Sequence, residues 1–244
     1  MNKKRIPDIL TNEDFLCAIH NSFCDFIGSG TSRSTAKLKP LHGAIARDLS
    51  LRLGPGYTLH AQGFGNGKEA KISGRYIDKA VDITIARDLK PLAGISVKFI
   101  MQNYSQNSNN YFENMLGETA NIRCNNYPYF QIFITLDRIP YYKKGGEFLK
   151  WETFTIHNAA KYVALSNDDS SIYLHTPNKT LIFVIHIPDC TVQINHKSDY
   201  LSYYKNSDCE AKISSHSYPE MGNSVIVNDY ETFIDKVYYT ILSI

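Results

Sequence analysis

Long apolar runs are missing from this sequence. No stretch approaches the roughly 18 consecutive apolar residues of a membrane-spanning helix. The opening Met1-Asn2-Lys3-Lys4-Arg5-Ile6-Pro7-Asp8 is not followed by an apolar segment of signal length. Cysteine is also sparse. The five, at 17, 24, 124, 190 and 209, are odd in number and form no CxxC pair. That pattern argues against a zinc knuckle or a disulfide framework and for free thiols in a reducing cytoplasm. A strong charge of one sign is absent, with 26 Lys+Arg against 24 Asp+Glu and a formal net charge of +2. This excludes a strongly basic coating protein but not an enzyme with a local basic cleft. The eight histidines form neither HExxH nor a finger spacing, and Gly63-Phe64-Gly65-Asn66-Gly67-Lys68 lacks the spacing and the terminal Ser/Thr of a Walker loop. There are no repeats and no low-complexity tract.

What is present is a chain of 244 residues, 43% hydrophobic and 20% charged, enough for a sizeable core within one domain over 1–244. Charge is uneven: residues 1–100 hold 15 basic and 9 acidic side chains, whereas 101–244 hold 11 and 15. The first part is the better polyanion face.

Helical periodicity marks 11–27, where Thr11 and Asp14 form a variant capping box before Phe15, Ile19, Phe23 and Phe26. A Gly/Ser/Thr loop is read over Gly28 to Thr35. A second helix runs from Pro40 to Leu53, with Leu41, Ile45 and Leu49 on one face and Gly54-Pro55-Gly56 closing it. Strands are expected at Tyr57–Gly63, Ile72–Ile77, Ala80–Ala86 and Ile95–Ile100, with 87–93 a loop. The polar run Asn103–Asn110 precedes a helix over Asn110–Arg123, and Tyr129–Leu136 reads as a central strand. Later come Phe148–Phe154, a short helix over Asn158–Leu165, an apolar strand Leu181–Ile187, a short strand Val225–Val227 and a closing helix Glu231–Leu242. The order implies an α/β domain with a mixed sheet flanked by helices. The stretch 140–225 leaves room for a small inserted lobe.

Two charged side chains interrupt otherwise apolar strands: Asp82 in Ala80-Val81-Asp82-Ile83-Thr84-Ile85 and Lys98 in Gly94-Ile95-Ser96-Val97-Lys98-Phe99. Taken singly, each is ordinary, a solvent-facing Asp on a half-exposed strand and a lysine snorkelling at an edge. Together, on consecutive strands about 5 Å apart, they can converge on one small site. A magnesium-dependent phosphodiesterase needs further carboxylate oxygen. The next acids, Glu113 and Glu118, are five positions apart and so about 140° around a helix. Both cannot serve one metal. Glu113, 15 residues after Lys98 in the first turns of the expected helix, is preferred, with Glu118 the alternative.

The segment from Val81-Asp82 to Ser96-Val97-Lys98 resembles the core of PD-(D/E)xK nucleases, in particular type II restriction endonucleases. It departs from their pattern at Val81, where proline is usual, and at Ser96, where the second acid is expected. Some members with that serine recruit the missing carboxylate from the following helix, and Glu113 looks like that relocated acid. The resemblance implies a restriction-endonuclease-like α/β core over 36–136, with 138–223 a possible DNA-recognition lobe. It also implies Mg²⁺ held by Asp82, Glu113 and the Val97 carbonyl, with Lys98 orienting the attacking water. The partners implied are double-stranded DNA, a second copy of the chain in a homodimer and, genetically, a cognate methyltransferase, in a bacterial cytoplasm. Ser96 and His42 are secondary candidates, the latter for phosphate. Candidate DNA contacts are Lys37, Lys39, Arg47, Lys68, Lys71, Arg75 and Lys79 for phosphate, Asn103, Asn107 and Asn109 for adenine edges, and Lys143 and Lys144 in the lobe. Two alternatives stay open: a non-catalytic nucleic-acid-binding protein on a degenerate nuclease core, and a repair or junction nuclease. His186, inside an apolar strand, reads as a satisfied core residue.

Overall fold

A computed structural model describes residues 1–31 and 35–244, so part of the Gly28–Thr35 loop expected from sequence lies outside the described residues. At its centre is a mixed seven-stranded sheet. The strands are β1 (Thr58–Ala61), β4 (Ile83–Arg87), β5 (Lys90–Ile100), β6 (Tyr129–Leu136), β9 (Lys179–His186), β10 (Lys212–Ile213) and β11 (Val225–Val227). They run in the order β1-β4-β5-β6-β9-β10, with β11 also paired to β9. The β1–β4 and β4–β5 pairs are antiparallel, whereas β5–β6 and β6–β9 are parallel. Parallel strands require crossovers, and α3 (Tyr104–Arg123) provides the one from β5 to β6. Two small antiparallel ribbons stand apart from the sheet: β2 (Ala70–Ser73) with β3 (Asp78–Val81), and β7 (Arg138–Tyr142) with β8 (Phe148–Thr153).

Helix α1 (Asn12–Ser29) forms where its periodicity puts it. Thr11 and Asp14 close the capping box, and Gly30 ends the helix in the left-handed conformation. Helix α2 (Lys39–Leu53) buries Leu41, Ile45 and Leu49, and α6 (Tyr230–Leu242) buries Phe233, Val237 and Ile241. With β6, buried at all eight positions, and β9 they enclose the main core. Phe15 anchors it between the face of Tyr230, 4.2 Å away, and the edge of Phe183, 5.0 Å away. Helices α4 (Ile156–Ser166) and α5 (Lys197–Asn206) complete the set among the described residues. All five cysteines are free. Among the described residues, no helix is long and apolar enough to cross a membrane.

Several details differ from the sequence expectations, among them the strand expected over Ile72–Ile77, where β2 ends at Ser73 and a turn leads into β3. The strand expected over Ala80–Ala86 breaks at Asp82, so β3 and β4 belong to different sheets. The loop expected over 87–93 is a two-residue turn, with Asp88 and Leu89 both at positive φ. A leucine in that conformation carries no turn signal. The polar run Asn103–Asn110 is not a loop: α3 already begins at Tyr104. Asn103 sits at its cap with φ 52°, its side chain donating to the Tyr142 carbonyl and accepting from the Tyr142 N–H. Finally, residues 138–223 do not stand out as an inserted lobe, because they contribute β9 and β10 to the central sheet. The apolar demand of β9 can be met only inside that sheet.

Candidate active site

The break at Asp82 is what builds the site. At the first residue pair of the β4–β5 ladder, Ile83 lies opposite Ile95, which sets Asp82 beside Ser96. Asp82 Oδ2 accepts hydrogen bonds from the Val97 N–H at 2.7 Å and the Ser96 hydroxyl at 3.2 Å. Burial pushes the Asp82 carboxyl above the ordinary aspartate range. The two hydrogen bonds and the positive charge of Lys98 oppose that shift, and the negative charge of Glu118 adds to it. The carboxylate is thus fixed in direction by the neighbouring strand and held in a poorly solvated place.

Around it opens a cavity of about 350 Å³, lined by Asp82, Ser96, Val97, Lys98, Lys37, Lys79 and Glu118 among others. Strand β5 supplies Ser96 and Lys98 on one face. The Lys98 ammonium lies 4.7 Å from the centre of the Tyr111 ring, a cation–π contact between two residues of the cavity wall. Helix α3 supplies Tyr111 and Glu118. Glu118 pairs with Lys79 of β3 at 2.5 Å. Lys37 is nearly buried, and its ammonium is destabilised first by burial and then by Lys98 and Lys197. Tyr129, fully buried beneath the cavity, is held in its neutral form by burial and by the charges of Glu118 and Asp82.

The two helix acids separate cleanly. Glu118 lines the cavity, whereas Glu113, preferred from sequence, is exposed, lies outside the lining and has its electrostatic effect on Lys161. The physical reason is the start of α3. Beginning at Tyr104, it presents the face carrying Tyr111, Met115 and Glu118, and the rotation of about 140° between the acids turns Glu113 away.

His42 is not available to phosphate, because its side chain has no exposed surface. Its neighbours are instead Glu69 and Asp82, and one ligand atom from each of the three lies within 4.8 Å of the others. Burial takes the His42 imidazole down to about 4, with the Glu69 carboxylate opposing the shift. The close approach rests on two glycines. A Cβ on Gly43 would sit 2.5 Å from the Gly63 carbonyl oxygen, and one on Gly63 2.3 Å from that of Lys39. With neither present, the glycine-rich segment 63–67 packs directly on the start of α2. Gln62 then donates to Glu69 Oε1 at 2.7 Å. Glu69 was not singled out from sequence, and the glycine spacing was the only local signal for it.

The nucleic-acid candidates scatter. Lys37 lies in the cavity, and Lys39 is exposed at the start of α2. Lys68, Lys71 and Arg75 are exposed on the segment leading into and through the β2–β3 ribbon. Arg47 pairs with Asp8 at 3.3 Å and Lys143 with Glu147 at 2.8 Å, while Lys144 is exposed beside it in the β7–β8 turn. Asn103 is committed to β7 and has no spare amide to read a base. Asn107 hydrogen-bonds Tyr111, and exposed Asn109 lies 3.5 Å from Lys161. His186 is satisfied through Asp137, which also accepts from Ser214, but it sits partly exposed at the end of β9 rather than in the core. No family model matches the chain, and neither the curated proteins nor the solved structures give a match.

Proposed function

We propose that this protein is a type II restriction endonuclease, hydrolysing phosphodiester bonds of double-stranded DNA with Mg²⁺ on a restriction-endonuclease-like core. The observation that carries the reading is the convergence of Asp82, Ser96 and Lys98 from two adjacent strands on one cavity, joined there by Glu118 from the following helix. The donor set fits a hard divalent ion. Asp82 and Glu118 offer carboxylate oxygens and Val97 a carbonyl at the same wall. When bound, Mg²⁺ supplies Lewis-acid activation of the phosphoryl group and acidifies water.

The rest is the work of the chain. The Val97 N–H and the Ser96 hydroxyl keep the Asp82 carboxylate aimed and restrain its rotation. Glu118 is held by Lys79, so engaging a cation exchanges one ion-pair partner for another. Lys98 projects its ammonium toward the same space from the cation–π shelf of Tyr111, where it orients the nucleophile and neutralises charge growing on the phosphate in the transition state. Lys37 and Lys79 add positive potential to the cavity wall. In-line attack leaves a 5′-phosphate and a 3′-hydroxyl. The exposed Lys39, Lys68, Lys71 and Arg75 are the phosphate contacts of this reading, and a two-fold homodimer cutting both strands of a symmetric site is its assembly.

The test is incubation of unmethylated phage DNA with Mg²⁺ and the protein, beside Asp82→Ala and Glu118→Gln. Discrete fragments from the native chain, none from Asp82→Ala and a strong loss in Glu118→Gln support the reading. Nicks without discrete fragments point to a repair or junction nuclease. DNA binding with no cleavage under any divalent ion points to the degenerate, binding-only core.

A further inference from the structure

Next to Asp82, but outside the lining of the cavity, stands a group that the cleavage reading does not use. His42 has no exposed surface, and among the described residues neither of its ring nitrogens has a hydrogen-bond partner. A buried polar group left in that state costs about 1–3 kcal/mol and calls for an explanation. The imidazole is not surrounded only by hydrocarbon. It faces the carboxylates of Glu69 and Asp82, with the three ligand atoms within 4.8 Å of one another. Both carboxylates are half-buried and the imidazole fully so. The Gly43–Gly63 contact presses the segment carrying Glu69 onto the helix carrying His42. Asp82 is aimed by bonds that both fall on Oδ2, leaving Oδ1 outside that pair.

We propose that His42, Glu69 and Asp82 form a second divalent-cation site, suited to an ion of the zinc class rather than to magnesium. One imidazole nitrogen and two carboxylate oxygens are a borderline donor set. Mg²⁺ and Ca²⁺ favour oxygen alone, whereas Zn²⁺ and Co²⁺ accept this mixture and with three protein ligands keep a fourth position open. Ligand atoms around such an ion lie about 3.3 Å apart at bond lengths near 2.0–2.2 Å, so the three side chains close by rotation. The ion gives the orphaned imidazole its partner and offsets the approach of two carboxylates. The site deepens the nuclease reading, because Asp82 would be shared between two ions, but its geometry stands without that reading.

The test is titration of the full chain with Co²⁺ alone. The expected result is one bound Co²⁺ with visible d–d absorption, displaced by Zn²⁺ and retained against excess Mg²⁺. A paramagnetically shifted imidazole proton should appear in the NMR spectrum of the native protein, which requires no variant to fold. His42→Ala, and Glu69→Gln at the half-buried rim, should each weaken binding by at least about tenfold. Absence of the shifted imidazole proton, or an affinity unchanged in both variants, overturns the inference. Assaying the native chain for both Co²⁺ binding and cleavage with Mg²⁺ separates the two readings. A chain that binds Co²⁺ through His42 but cuts no DNA keeps this site and sinks the nuclease. A chain that cuts with Mg²⁺ but shows no imidazole-bound Co²⁺ does the reverse.

Discussion

Strands β6 and β9 bury nearly every side chain, and all but a few of these are apolar. Across β5 the sheet changes character. Strand β3 ends at Val81, just before Asp82, β5 carries Ser96 and Lys98, and His42 and Glu69 close in from α2 and the segment after β1. The two regions meet at β5 but do not serve one purpose. In the first, each residue adds apolar burial worth about 25 cal/mol per Å². In the second, charges are held in poorly solvated places, where burial penalises them unless a ligand or partner compensates. Strain at functional positions is sustained by packing elsewhere, and here the division falls between β6–β9 and the β3–β5 corner.

Substitutions should therefore act differently on the two sides. The largest effect belongs to the polar corner. If the protein is the nuclease proposed, Lys98→Ala should reduce cleavage by about 10²–10³-fold with little change in the urea midpoint, since the ammonium would act on the transition state and only its stem on packing. Phe183→Ala should do the converse. Its ring is fully buried against Phe15, and its loss should cost about 3–5 kcal/mol in urea unfolding. A Lys98→Ala protein that is strongly destabilised would break the comparison.

The orphaned imidazole gives a pH signature peculiar to the polar side. His42 titrates in the folded chain at about 4 rather than at its ordinary 6.5. The unfolded chain therefore takes up this proton first as the pH falls. The stability tied to the neutral ring is complete above pH 6.5 and is lost as the pH drops through about 4, amounting to about 3 kcal/mol. Urea unfolding in chelator at pH 7 and pH 4.5 should show a steeper acid loss for the native chain than for His42→Leu. Equal slopes would mean that the ring is not buried neutral.

A smaller effect is expected at Gly94, where the two regions meet. A Cβ there would lie 2.9 Å from both Ile72 Cδ1 and Val81 Cγ1 and 3.0 Å from Tyr129 Cε2. These side chains, with Ile122, form the small separate core that seats the β2–β3 ribbon. Gly94→Val should cost about 1–3 kcal/mol. It should also lower cleavage, because the ribbon carries Lys79 and leads into Asp82.

The apolar region was the legible one. The capping box of Thr11 and Asp14, the i+4 stripes of α2 and α6 and the unbroken run of β6 are local patterns, and their burial follows from them. The polar corner was legible only in part. Asp82 and Lys98 announced themselves by interrupting apolar strands. The break of the strand at Asp82 did not, because β3 leaves the sheet to pair with β2 and pack on Gly94, a tertiary choice. Nor did the pairing of His42 with Glu69, which depends on two glycines meeting across 20 residues of chain. The start of α3 was hidden for a related reason. Asn103 adopts φ 52° because its amide is occupied by β7, a partner 39 residues away, and helix propensity across an Asn-rich run is too weak to show it.

That misplaced start bears on the smallest expected effect, which is also the sharpest test of the corner. Glu113 and Glu118 ride the same helix, but only Glu118 faces Asp82, through the cavity and its pairing with Lys79. Glu113 is solvent-facing, with Lys161 as the cation it influences. An exposed carboxylate of that kind contributes at most about 1 kcal/mol, so Glu113→Gln should leave cleavage within about twofold of the native rate and the urea midpoint unchanged. Single-turnover plasmid cleavage of the two glutamine variants, assayed side by side, distinguishes them. Should Glu113→Gln lose as much rate as Glu118→Gln, α3 must turn or shift when DNA binds. The second carboxylate would then be supplied from the first half of the helix, as the spacing from Lys98 alone suggests.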